Sequence, residues 1–97
     1  MNSEDRLLTI IESGGTAVGM LRLDRVPDVT RGYEVSIAIS GQFHGMGFAT
    51  AALKLARQVV PSSDLLATIF QDNKPSRALF AAAGFVPVAP QRFLSRP

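Results

Sequence analysis

Three glycines and the chain's one histidine fall within eight residues, Ser40-Gly41-Gln42-Phe43-His44-Gly45-Met46-Gly47. A strand pattern leads into this run and a helical pattern leaves it. A helix N-terminus leaves about four backbone N–H groups without intrahelical acceptors and carries a partial positive charge. Glycines at 45 and 47 keep Cβ atoms out of the approach, so the junction suits a phosphate or pyrophosphate. Read as local structure alone, the same glycines make a tight turn. Two phosphate loops are excluded. No Gly-Lys-Ser/Thr run follows, as a P-loop requires. After Gly45-Met46-Gly47 come Phe48, Ala49 and Thr50, so the third glycine of a dinucleotide fingerprint is missing.

Glu34 is the candidate general base. It stands on the polar face of the segment entering the glycine loop, where a carboxylate can take a proton from a bound nucleophile. As a structural residue it would pair with an arginine across the sheet. His44 has the intrinsic pKa of a base, but its place in the loop favours a contact to a bound anion or plain exposure. Tyr33 shares a face with Val35 and Ile37 and is read as core. With no cysteine there is no thiolate nucleophile, disulfide or zinc–thiolate site, and one histidine excludes a site needing two. No metal is expected.

The elements that must position these residues follow from periodicity. Arg6 to Ser13 and Thr16 to Leu23 read as strands around a Gly14-Gly15 hairpin turn. Gly19 inside the second marks a bulge or a close backbone approach. Asp24 to Gly32, with Pro27, reads as a loop. Tyr33 to Ser40 alternates cleanly, with Tyr33, Val35, Ile37 and Ile39 on a core face and Glu34, Ser36 and Ala38 on the other. A helix runs from the glycine loop to Val60, with Phe48, Ala52, Leu55 and Val59 as its expected buried stripe and Ala51 and Ala56 beside it. Leu65 to Phe70 reads as a buried strand. Asn73 and Asp72 stand where a cap is wanted, and Pro75 fits a first helical turn. The short helix that follows offers Ala78, Leu79, Ala81 and Ala82 for burial. Gly84 is the expected left-handed terminator, with Phe85 folding back onto Leu79 or Phe80. Phe85 to Val88 and Arg92 to Ser95 close the chain as strands. The fold class expected is α/β (α+β), one domain over 1–97 with a mixed, largely antiparallel sheet flanked by helices.

Ninety-seven residues leave room for one hydrophobic core. The net charge of +2 comes from ten basic and eight acidic residues. The basic residues are scattered, without the continuous stripe that phosphate-backbone binding needs, so nucleic acid is not the expected partner. No apolar run is long enough for a membrane span, and Met1 to Asp5 is polar and acidic, unlike a leader. The expected location is the cytoplasm.

The run from Ile39 to Ala49, leaving a strand and opening a helix, resembles the acetyl-CoA motif of the GNAT superfamily of N-acetyltransferases, Gln/Arg-x-x-Gly-x-Gly/Ala. Gln42, Gly45 and Gly47 satisfy it. A second family pattern lies downstream: Asn73 opens a short helix, followed by Ser76, Leu79, Phe80 and then Gly84-Phe85. The resemblance spans about 7–88. It implies an acetyl group moved from acetyl-CoA to a primary amine by direct transfer in a ternary complex. It places the pyrophosphate on backbone N–H groups around Phe43, His44, Gly45, Met46, Gly47, Phe48 and Ala49. The pantetheine arm would pair along the strand of Ile37 and Ile39, in a gap opened where that strand and 65–71 splay apart. N–H groups near Ile39 would polarise the thioester carbonyl. Asn73, with Ser76 and Phe80, would contact the cofactor from the second helix, and family members often carry a Glu where Glu34 stands.

Three departures modify these expectations. Family members usually begin with a strand and two helices before the hairpin that opens this chain. Their lack implies a minimal member or a piece of a larger enzyme, with an apolar patch for a partner chain or a second copy to cover. Phe80 stands where many relatives have a tyrosine that protonates the departing thiolate. His44 stands where many carry arginine. The alternative expectation is a CoA-binding or interaction module without efficient catalysis.

Overall fold

The structure, a computed structural model, describes residues 6–26 and 32–97. Its elements are β1 (Arg6–Ser13), β2 (Thr16–Arg25), β3 (Gly32–Ile39), a 3-10 turn (Gly41–Phe43), α1 (Phe48–Val59), β4 (Asp64–Thr68), α2 (Lys74–Ala82), β5 (Val86–Ala89) and β6 (Arg92–Ser95). The six strands form one sheet in the order β1-β2-β3-β4-β6-β5. Every pairing is antiparallel except β3 with β4. The mixed, largely antiparallel sheet is the expected one. The loop read as Asp24 to Gly32 is shorter, because β2 continues to Arg25 and β3 starts at Gly32; positions 27–31, Pro27 among them, lie outside the described residues.

Gly14 and Gly15 take φ values of 58° and 83°, the double left-handed turn that matches the twist of a hairpin. Both readings of Gly19 hold. The β1–β2 register shifts between Ile11 and Glu12, which leaves Val18 as the extra residue beside Gly19. A Cβ on Gly19 would collide with the Ala38 carbonyl oxygen.

Cross-strand register decides the two faces. Leu21 opposes Ile37, Leu23 opposes Val35, Tyr33 opposes Leu65 and Ala67 opposes Phe93, so these side chains share one face. Leu53 and Ala56 of α1, Phe80 of α2 and Phe85 pack onto it. Both helices therefore cover the same face. The other carries Leu8, Ile10 and Met20 at one end, with Leu8 and Ile10 each 55% exposed. Together they form an exposed apolar patch on that face.

The buried stripe of α1 differs from the expected one. Ala52, Leu53 and Ala56 are buried, whereas Leu55 and Val59 are exposed. Ala52 belongs to both stripes of this alanine-rich helix, and the sheet chooses between the neighbours on either side of it. Leu21, Leu23, Val35 and Leu65 already fill that surface, so the helix docks through its small residues. Arg57 fixes the choice by donating to the Val60 and Ser63 carbonyls and, at 2.9 Å each, to the Ser95 carbonyl and hydroxyl. In α2, Ala78, Ala81 and Ala82 are exposed, and Phe80 alone is buried. This nine-residue helix packs into the core through a single large anchor, with Leu79 partly buried beside it. Its end is as expected: Gly84 has φ 95°, the Phe85 N–H donates to the Phe80 carbonyl at 3.0 Å, and the two rings meet edge to face at 5.0 Å. β4 stops at Thr68 rather than Phe70. The Ile69 N–H still donates in register to the Gln91 carbonyl at 2.8 Å and Ile69 is buried, but Phe70 beyond it is 63% exposed.

Gly19→Ala tests the close approach. The added methyl meets backbone that cannot move aside alone, so the variant should lose about 1–3 kcal/mol in urea unfolding, while Gly41→Ala, with open space at its Cβ, should not.

Candidate active site

The parallel ladder between β3 and β4 is short. Only Gly32, Tyr33 and Glu34 pair, with Asp64, Leu65 and Leu66. From Val35 onward β3 has a neighbour on one side only. The Ser40 N–H donates to the Val18 carbonyl at 2.8 Å. By strict alternation Ser36 and Ala38 also turn their N–H and C=O groups toward β2, and Val35, Ile37 and Ile39 turn theirs into the gap. The splay implied for 33–40 and 65–71 is thus present, with a row of backbone donors and acceptors along it.

The glycine loop closes one end of this gap. A 3-10 turn over Gly41–Phe43 is followed by Gly45 and Gly47, both left-handed at φ 76° and 83°. Gly47 is the N-cap of α1, and the first bond of the helix runs from the Ala51 N–H to the Gly47 carbonyl at 3.0 Å. The N–H groups of Phe48, Ala49 and Thr50 have no intrahelical acceptor, no capping side chain serves them, and the first turn holds no acidic residue. This end of α1 presents donors and positive potential together. Phe43 and Phe48 pack edge to face at 6.0 Å and tie the loop to the helix. His44 turns its ring back, with Nε2 at 2.8 Å from the Ile39 carbonyl oxygen, capping the last acceptor of the β3 row.

Two clefts follow from this layout. The first, about 380 Å³, is lined by Ile37, Ile39, Phe43, His44, Gly45, Gly47, Phe48 and Ala49 from the β3–α1 side, and by Ser76, Leu79 and Phe80 from α2. The second, about 290 Å³, is lined by Glu34, Ser36, Thr68, Phe70 and Asn73, among others. They share Ile37, Ser76 and Phe80 and so meet there. Most of the residues singled out from sequence are brought together. Gln42 and Met46 are exposed beside the loop and line neither cleft. Asn73 caps α2, its Oδ1 accepting from the Ser76 N–H at 3.3 Å.

Glu34 has the arginine partner considered for it. Its Oε2 accepts from Arg92 Nη1 at 2.8 Å and from Thr68 Oγ1 at 3.0 Å. Thr68 and Arg92 were not foreseen. They lie 34 and 58 positions from Glu34, and only the register opposing Thr68 to Arg92 brings them to it. Among the described residues no group of three or more His, Cys, Asp or Glu side chains could hold a metal ion, and no helix is long and apolar enough to cross a membrane.

The sequence profile of the acetyltransferase (GNAT) family matches residues 1–85. The chain belongs to the GNAT family. Solved GNAT-like structures share the fold. A mutant form of spermidine N-acetyltransferase from Vibrio cholerae superposes with a TM-score of 0.79 at 16% identity, over 95% of this chain and 66% of that one. IAA acetyltransferase from Bacillus cereus gives 0.80 at 20% identity, over 89% and 59%. RimJ of Mycobacterium smegmatis, solved in complex with CoA-disulfide, gives 0.75 at 27% identity, over 93% and 51%. This GNAT chain therefore spans about two thirds or less of the length of these proteins. A search of curated protein sequences found no match.

If Asn73 is chiefly a cap, Asn73→Ala should cost about 1 kcal/mol of stability, and Asn73→Asp, which keeps an acceptor, should not. Thermal unfolding of the three proteins side by side checks this.

Proposed function

We propose that this chain binds acetyl-CoA in the gap between β3 and β4 and transfers its acetyl group to a primary amine. The observation that carries the reading is the open start of α1: unpaired N–H groups, two left-handed glycines and no acidic side chain, at the end of an unpaired β3 edge. The fit is chemical. A diphosphate needs convergent donors and positive potential, and the α1 terminus offers both. A pantetheine arm carries two amides, and β3 offers backbone partners at Val35, Ile37 and Ile39. Acetyl-CoA, when bound, supplies an activated thioester.

The chain's own part is orientation and proton handling. The backbone N–H groups of the β3 edge near Ile39 would polarise the carbonyl under attack. Glu34 stands in the second cleft with Oε2 held by Arg92 and Thr68, while Oε1 has no hydrogen-bond partner among the described residues. In a ternary complex the amine nitrogen bonds to the acetyl carbon as the C–S bond breaks, and the nitrogen's proton passes to Oε1. The sulfur leaves as thiolate. Phe80, at the junction of the clefts, offers it no proton. A second reading is favoured by the uncovered Leu8, Ile10 and Met20 and by the greater length of the relatives. There the chain binds CoA thioesters and depends on a partner chain or a second copy over that face.

Calorimetric titration with acetyl-CoA tests the site. Saturable heat is expected for the parent chain. Gly45→Asp with Gly47→Asp should abolish it by opposing the diphosphate, whereas the paired Asn variants, which also tolerate positive φ, should bind. Absence of heat with a folded parent overturns the reading. Binding without turnover of any amine favours the second reading.

Glu34→Gln keeps an acceptor for Arg92 and Thr68 but removes the base. Its kcat should fall by about 10²–10⁴-fold with acetyl-CoA affinity unchanged, measured as thiol release under saturating cofactor.

A further inference from the structure

The face of the sheet that the helices leave bare carries a chain of charge leading to the second cleft. Asp24 opposes both Arg6 and Glu34 in the ladders, and Arg22 lies on the same face. Arg6 and Arg22 both bond to Asp24, at 2.8 and 2.7 Å. Glu34 bonds to Arg92. Among the described residues of this cluster three cations stand against two carboxylates, a surplus of one positive charge.

The Glu34–Thr68–Arg92 triangle uses only part of its hydrogen-bonding capacity. Arg92 Nη1 alone serves both Glu34 Oε2 and Thr68 Oγ1, each at 2.8 Å. Among the described residues Arg92 Nε and Nη2 and Glu34 Oε1 have no partner. Both side chains are accessible, at 38% and 37% exposure. An ion pair so exposed adds little to stability. It does hold a planar donor edge next to Glu34 and Thr68, which line the second cleft.

We infer that this pair reads the acceptor, and that the acceptor is a small amine bearing a carboxylate, of the α-amino acid type. The amine addresses Glu34 Oε1, and the carboxylate takes the open edge of Arg92, whose fork geometry suits it. The acceptor's carboxylate also neutralises the local positive surplus. A polyamine would add cations beside Arg92 and Arg22. The inference rests on the acetyl-transfer reading, and Arg92 is its specificity residue.

The test uses a panel of free amino acids, each beside its own carboxamide, together with spermidine. NMR titration of the Arg92 Nε–H signal in the full chain should show saturable shifts with the amino acids and none with the amides. In steady-state assays, the kcat/KM ratio of each amino acid to its amide should fall about tenfold or more in Arg92→Gln. Taking this ratio cancels the differing basicity of the two amines. Arg92→Lys should restore part of it. Equal shifts with acid and amide, a preference for spermidine, or equal loss for both acceptors in Arg92→Gln would each overturn the inference. Failure of acetyl transfer itself shows separately, as absent acetyl-CoA heat and absent thiol release, because the NMR titration needs no turnover.

Discussion

The early end of the β3–β4 ladder is the constraint on which the rest depends. Buried backbone N–H and C=O groups must be paired, and a strand inside a sheet normally pairs on both sides. Here β4 diverges after Leu66, and β3 continues for five more residues with one edge unpaired. Such an edge is tolerable where water or a ligand can reach it. The fold holds it open with two helices on one face, one leaving each of the diverging strands.

Each neighbouring feature serves this opening. Gly19 lets β2 approach Ala38 closely, so β3 is firmly held on its paired side. The Phe80–Phe85 contact and the Gly84 terminator anchor α2 against the sheet beyond the gap. Arg57 locks the far end of α1 to β6, on the opposite side of β4. The glycine loop is pinned by Phe43 on Phe48 and by His44 on the Ile39 carbonyl. The start of α1 thereby shares the first cleft with the unpaired edge, so its open N–H groups stand near the free backbone groups of Ile37 and Ile39.

The opposite mouth of the gap works by side chains. Glu34, Thr68 and Arg92 come from three strands, and their contacts run through one guanidinium nitrogen and one carboxylate oxygen. The helix-covered side holds the buried apolar core, whereas the bare side carries both the charged cluster and the exposed Leu8–Ile10–Met20 patch.

Local signals were enough for the sequence to determine much of this. The Gly14-Gly15 hairpin, the Gly45/Gly47 junction, the Asn73 cap and the Gly84 terminator each depend on backbone conformations that few residues adopt, so they are legible in a single chain. The alternation of Tyr33 to Ile39 was legible for the same reason. Tertiary structure decided what local pattern left degenerate. Which stripe of an alanine-rich α1 is buried depended on the side chains already filling the sheet. Where β4 ends depended on how far its register with β6 runs, down to the bond from Ile69 to Gln91. The partners of Glu34 depended on a register between β4 and β6 that no short-range rule encodes. Backbone geometry is written residue by residue, but contacts between distant strands exist only after the sheet has chosen its order.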